Sequence, residues 1–194
     1  MFRFIRIRRA LPASILLLAL PLAPAAAETG EFRKAGASLA CVTGNAAAET
    51  QTPPYLDCLA IGPVRIGQTL REVAMKFGKA AKEVKQGPVT LRVWPIQDGA
   101  PVGAALPYWV IGFEGQRVVS VQLSGPRRAD RFAFSSLRLG DGEARVREIL
   151  GDPTDMQEVP QIGAVMWSWR PFPVTLEIRR GRVFSMRVSE AVGK

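Results

Sequence analysis

The sequence predicts an α+β fold of two tandem units whose helices pack on one face of an antiparallel sheet, and three observations carry that reading. The strings "VRIGQTLREVAMKFGKA" at 64–80 and "LRLGDGEARVREILGDP" at 137–153 share one skeleton: Arg65 or Arg138, Gly67 or Gly140, Val73 or Val146, Phe77 or Leu150, Gly78 or Gly151. The strings "VIGFEGQRVVSVQL" at 110–123 and "LEIRRGRVFSMRV" at 176–188 each read as two strands around a tight glycine turn. A further strand precedes each of these hairpins, at 89–94 and 165–169.

The elements follow in order from the N-terminus. Residues 1–27 combine Arg3, Arg6, Arg8 and Arg9 with an apolar run and the small-residue ending Ala25, Ala26, Ala27, the pattern of a cleaved secretory signal. The run is shorter than the roughly 20 residues a membrane span needs and is broken by Pro12 and Pro21. The surroundings of Arg8 and Arg9 match twin-arginine export poorly. Cys41 lies too far beyond the run, after a poor lipobox, to be a lipid anchor. The reading is a periplasmic or secreted protein that is not a lipoprotein. Without the leader, 22 basic residues face 17 acidic ones, a net charge of about +5. That excess is spread over both halves and gives thin support for nucleic-acid binding.

Residues 28–60 form a segment closed by the two cysteines of the chain, Cys41 and Cys58, which in an exported protein pair as one disulfide around "VTGNAAAETQTPPYLD". No CxxC spacing suggests a redox role. The first unit is expected at 61–123, a linker at 124–133, the second unit at 134–189 and a tail at 190–194. In the first unit Thr69 and Glu72 have capping-box spacing, and Leu70, Val73, Ala74 and Phe77 fall on one helical face before Gly78. In the second, Asp141 is the expected N-cap, with Val146, Ile149 and Leu150 apolar before Gly151. A short, weakly marked element precedes each helix, at 56–64 and 129–137. A loop rich in Gly, Ala and Pro at 97–107 joins the first two strands. Either unit alone is too small to bury a large core.

The string from Gly140 to Pro153, followed by Trp167-Ser168-Trp169 and Gly181-Arg182-Val183, resembles the BamE (SmpA/OmlA) family of outer-membrane assembly lipoproteins. Two such units in tandem are similar to the β-lactamase inhibitor protein fold. The resemblance spans 61–123 and 134–189 and implies two ααβββ repeats, the weak element before each helix being a second helix. It also implies a concave sheet face that binds a partner protein. The sequence departs from the pattern at Gly67-Gln68-Thr69 and Gly140-Asp141-Gly142, where the family has Gly-Met-Thr. The lipid-attachment cysteine of one family and the disulfide after each helix of the other are also missing.

Strand alternation sorts the side chains by face. In the second unit the expected inward sets are Val165, Trp167, Trp169; Val174, Leu176, Ile178; and Phe184, Met186, Val188. Ser168, Arg170, Thr175, Glu177, Arg179, Ser185 and Arg187 then face outward. In the first unit the inward sets are Val89, Leu91, Val93; Trp109, Ile111, Phe113; and Val119, Val121, Leu123. Thr90, Arg92, Trp94, Tyr108, Ser120 and Gln122 are left outside. An outward face carrying Trp, Tyr and several Arg has the residue types of interface hot spots, and Arg92, Trp94, Tyr108, Arg170, Arg179 and Arg187 are its candidate anchors. On the plainer reading this face is simply solvated, with Trp94 and Tyr108 folded under the 97–107 loop. Likewise Arg127, Arg128 and Arg131, and Arg179, Arg180 and Arg182, read first as a solvated linker and a charged turn, and second as anion sites.

Enzymatic chemistry has little footing. The chain has no histidine, which removes histidine triads and imidazole-ligated zinc. Asp141, Glu143, Glu148 and Asp152 cluster where caps and surface charge explain them, and Gly140-Asp141-Gly142 lacks the rest of a dinucleotide fingerprint. No cofactor or metal is expected. The function anticipated is a non-enzymatic module of the cell envelope that binds a protein through its sheet face, as an outer-membrane assembly accessory or a hydrolase inhibitor. The alternative is a factor that binds anionic lipid or cell-wall fragments through its arginines. Replacing both Cys41 and Cys58 by Ser is expected to lower the unfolding free energy by about 3 kcal/mol, the chain-entropy value for a loop of this size. Urea unfolding of the variant beside the oxidised protein checks it.

Overall fold

A computed structural model of the chain describes residues 30–36, 38–43, 55–97, 103–126 and 128–190. The expected signal at 1–27, most of the loop between the cysteines, residues 98–102, Arg127 and the tail from 191 lie outside the described residues.

The chain opens with a hairpin of β1 (Glu31–Ala35) and β2 (Ser38–Val42), then a 3-10 turn at Leu56–Cys58. The disulfide Cys41–Cys58 ties the hairpin to that turn, with the two Cα atoms 5.8 Å apart. A minimal hairpin follows, β3 (Ala60–Ile61) with β4 (Val64–Arg65), and then helix α1 (Leu70–Phe77). Four strands come next: β5 (Lys82–Gln86), β6 (Val89–Pro95), β7 (Tyr108–Glu114) and β8 (Arg117–Ser124). Helix α2 (Glu143–Leu150) is likewise followed by four: β9 (Asp155–Val159), β10 (Ala164–Ser168), β11 (Val174–Arg179) and β12 (Arg182–Ser189). These eight strands form one continuous antiparallel sheet in the order β5-β6-β7-β8-β12-β11-β10-β9, joined at its centre by β8 and β12.

The expected pair of ααβββ repeats is therefore corrected. The protein is mostly β, with one helix before each run of four strands. The weak elements at 56–64 and 129–137 are not helices but a 3-10 turn with the β3–β4 hairpin in one case and a Phe134–Leu137 bridge in the other. Gly62, at φ 50°, makes the turn of the first, a conformation a helix cannot hold. The strands missed by sequence reading, β5 "KEVKQ" and β9 "DMQEV", are the two edges of the sheet. They lack apolar alternation because each pairs on one side only and leaves most of its side chains in water. With one helix of each unit gone and two more strands in the sheet, the architecture does not match the BamE or β-lactamase inhibitor pattern. That resemblance is set aside.

Both helices are held by the same devices at both ends. At the start of α1, Gly67 donates its N–H to the Val118 carbonyl at 2.9 Å, Val118 returns one to Gln68 at 2.8 Å, and Leu70 donates to Gln116 at 2.8 Å. At the start of α2, Gly140 donates to Val183 at 2.8 Å, Val183 to Asp141 at 2.9 Å, and Glu143 to Gly181 at 3.3 Å. Each helix thus begins as a backbone extension of the hairpin turn that precedes the last strand of its run. At the far ends, the Trp94 indole donates to the carbonyl of Gly78 at 3.1 Å and the Trp169 indole to that of Gly151 at 3.4 Å. Gly78 and Gly151 sit at φ 71° and 77°, where only glycine closes a helix without strain. Thr69 and Glu72 form the expected capping box. Asp141 is not the N-cap of α2: Gly142 holds that place, and the Asp141 carboxylate accepts from the backbone N–H of Arg138 at 2.8 Å.

The core lies between the helices and one face of the sheet. Trp109, Ile111, Phe113, Leu123, Leu176, Met186 and Val188 are buried there beneath Val73, Val146 and Leu150. Beside α2, Phe32 of β1 packs on Phe134 and Phe172, at 5.9 and 5.2 Å between ring centroids.

Trp94→Ala is expected to cost about 3–5 kcal/mol, the range for emptying a buried tryptophan site. Trp94→Phe, which keeps a ring but loses the bond to Gly78, should cost about 1 kcal/mol. Denaturant unfolding of both variants measures this. The N–H and then the hydroxyl of Thr69 hold the Glu72 carboxylate below the usual carboxylate range. A depressed pKa adds stability above the unfolded value and loses it as pH falls through the folded one. Thermal melts of Glu72→Gln should therefore lie below wild type at pH 7, and the gap should close at acid pH.

Candidate functional site

The helices and the N-terminal hairpin cover one face of the sheet, and the other face is open. Which side chains reach it is decided by register. Trp94 lies opposite Trp109, Arg92 opposite Ile111 and Thr90 opposite Phe113, so this set of β6 faces the helices. Trp94 is 4% exposed and Arg92 lies over the Phe113 ring, paired with Glu83 at 2.8 Å. The sequence reading had β6 turned over. Val89, Leu91 and Val93 occupy the open side, beside Val84 of β5 and Val110 of β7. Gly112 makes this possible. A Cβ there would meet Ser120 Oγ at 2.3 Å, Val89 Cγ1 at 3.2 Å and Leu91 Cδ2 at 3.3 Å, so both aliphatic side chains lean over a strand that lacks one of its own.

Two β-bulges complete the correction. One falls between Gly112 and Phe113, the other between Glu177 and Ile178. A bulge sets two residues against one and shifts the alternation beyond it. Val118 rather than Val119 therefore enters the core from β8, and Val183 rather than Phe184 from β12. Val119 and Phe184 are left half-buried.

Of the six expected anchors, Tyr108, Arg179 and Arg187 lie on the open face. Tyr108 is half-buried opposite Ser124. Arg187 is exposed between Gln122 and Thr175, and no carboxylate among the described residues pairs with it. The Arg179 guanidinium lies over Phe184, its carbon 3.5 Å from the ring centroid. Arg92 and Trp94 belong to the helix side. Arg170 stands beyond the end of β10, its side chain 78% exposed and 3.6 Å from Asp155.

The open face thus has a largely aliphatic half on β5 to β7 and a polar half from β8 onward, where Arg179 and Arg187 share the surface with Glu177 and Asp155. At the joint, Gln122 Nε2 donates to Ser124 Oγ at 3.0 Å and Ser185 Oγ at 2.9 Å, and the two hydroxyls lie 2.9 Å apart. Ser124 and Ser185 are almost fully buried although they point away from the helices. Close by, Gln86 of β5, Leu91, Ser120 and Arg187 of β12 line a single cleft of about 630 Å³. At four strand spacings β5 and β12 stand about 19 Å apart, so the cleft runs across the open face from the edge strand to the centre of the sheet. Glu190 at its rim is already engaged, forking onto Arg117 at 2.6 and 3.0 Å. Val89, Leu91 and Phe184, expected in the core, are half-buried on the open face. The glycine inside β7 was the available signal, since an interior strand glycine marks a bulge or a close approach.

No family model matches the chain, and no curated protein matches it. Among solved structures, the chain is similar to a crystal structure of a cysteine-rich secretory protein from Staphylococcus aureus, with 14% identity and a TM-score of 0.44 over 64% of this chain. The match covers 44% of that protein, so this chain spans less than half of its length, and the likeness is too slight to carry an assignment.

Proposed function

We propose that the chain is an exported, non-enzymatic binding module that takes a partner protein of the cell envelope on the open face of its sheet. The observation that carries the reading is the cleft in which half-buried Val89 and Leu91 meet Arg187, which pairs with no carboxylate among the described residues, with Val93 and Tyr108 further along the same open face. An apolar patch rimmed by polar groups marks an interaction surface, and a tyrosine and an arginine on the same face supply anchor types that dominate such interfaces. The partner fitted to this face presents apolar side chains to the β5–β7 half and a carboxylate to Arg187. Export is supported by the leader pattern at 1–27 and by the Cys41–Cys58 disulfide, a bond that persists in oxidising compartments. A chain without histidine supports the non-enzymatic reading.

Photo-crosslinking from single positions tests it. A crosslinker at Leu91 or Thr175, on the open face, is expected to trap one and the same envelope protein, and one at Arg71 or Met75, on the exposed side of α1, to trap none. The Tyr108→Ala, Arg187→Glu pair should cut the yield at least roughly fivefold, as loss of a hot spot does, with the melting temperature unchanged. Adducts from the α1 positions alone would overturn the reading.

A further inference from the structure

A second cleft, of about 480 Å³, opens at one end of the sheet between the β11–β12 turn, the corner at Ile162 and Gly163, and the step at Gly125 and Pro126 after β8. Arg179, Arg180 and Arg182 all line it. We propose that this cleft binds a phosphate group carried on a partly apolar ligand.

Three cations close together repel one another, and solvated arginines would spread apart. Here two of them are fixed. The Arg179 guanidinium is held over the Phe184 ring, its Nε is buried without a hydrogen-bond partner, and its Nη2 reaches Glu177 only at 3.4 Å. Arg182 is anchored by a bond of 3.0 Å from Nη1 to the Gly140 carbonyl, which leaves the rest of its fork free. Arg180, at the tip of the turn with φ 49°, pairs with no carboxylate among the described residues. Among the described residues, Glu177 is the one carboxylate joined to any of these three arginines by an ion pair. Glu143, behind the turn against Gly181, is not among the residues that line the cleft. Like charges held this close raise the energy of the unliganded cleft. An anion in the cleft would offset that repulsion.

The number and form of the donors favour phosphate over a single carboxylate. Guanidinium forks match phosphate oxygens two at a time, and a phosphate monoester carries close to two negative charges at pH 7. Phe184, Ile162 and Pro126 give the same cleft an apolar wall for the body of the ligand. Its volume falls within the roughly 300–1,000 Å³ of small-ligand sites.

The test follows the arginine Nε–H signals of the purified protein by NMR during titration with inorganic phosphate at constant ionic strength, with chloride as control. In parallel, co-sedimentation is measured with phosphatidylglycerol and with phosphatidylcholine vesicles. Saturable shifts of Arg179 and Arg182 with phosphate and not chloride are expected. The pair Arg180→Asn, Arg182→Gln should weaken binding about tenfold, or about 1.4 kcal/mol; Asn suits the left-handed backbone at position 180. Arg71→Gln, on the outer side of α1, should leave binding unchanged. Shifts with free phosphate assign a soluble phosphorylated ligand, whereas sedimentation with phosphatidylglycerol alone, lost in the double variant, assigns a lipid headgroup. Equal response to chloride, binding undiminished in the double variant, or no response in either arm overturns the proposal.

Discussion

The fold depends on a clamp made twice. Helices α1 and α2 have eight residues each, too few to hold together in water by themselves. Each is fixed at its start by reciprocal backbone bonds to a hairpin turn of the sheet and at its end by a tryptophan indole that donates to the closing glycine carbonyl. This explains why the chain repeats its skeleton. Gly67 and Gly140 dock on β8 and β12, Val73 and Val146 enter the core, and Gly78 and Gly151 present the carbonyls that Trp94 and Trp169 need. Because β8 and β12 also pair with each other, the two clamped halves share one sheet.

Once the helices occupy one side, the other side is defined by what they leave uncovered. Its character comes from small departures from regular pleating. The bulge at Gly112 and Phe113 turns Val119 away from the core, and the bulge at Glu177 and Ile178 does the same for Phe184. Gly112 lets Val89 and Leu91 fold across β7, which makes one half of the open face apolar, while the Gln122, Ser124 and Ser185 network keeps the joint between halves polar without leaving those hydroxyls unpaired. Phe184, released from the core, becomes the platform on which Arg179 is held. Both candidate sites are therefore by-products of the same irregularities.

The resemblance to known tandem repeats rested on a short string whose residues have generic tasks: a glycine to leave a strand, a valine to enter a core, a glycine to end a helix. Many folds need those tasks in that order, and the string cannot say how many strands follow. The edge strands were the decisive omission. Lys82, Glu83 and Lys85 on one edge and Asp155 and Glu158 on the other look like loop composition, yet they pair along β6 and β10 and widen the sheet from six strands to eight.

Sequence alone sets the limits of α1, the glycine that closes α2, the capping box of Thr69 and Glu72, the hairpins around Gly115 and Gly181, and the pairing of Cys41 with Cys58, because each depends on residues near in sequence or on there being no other choice. It placed Tyr108, Arg179 and Arg187 on the outward face by alternation alone. Tertiary structure decided the rest. Trp94 and Arg92 turned inward because β6 carries apolar side chains on both of its faces, Val89, Leu91 and Val93 on one and Trp94 on the other. Only the indole bond to Gly78 and the gap above Gly112, made by strands distant in sequence, distinguish them. The convergence of Arg179, Arg180 and Arg182 on one cleft likewise needed the walls at Ile162 and Pro126, which sequence spacing does not bring together.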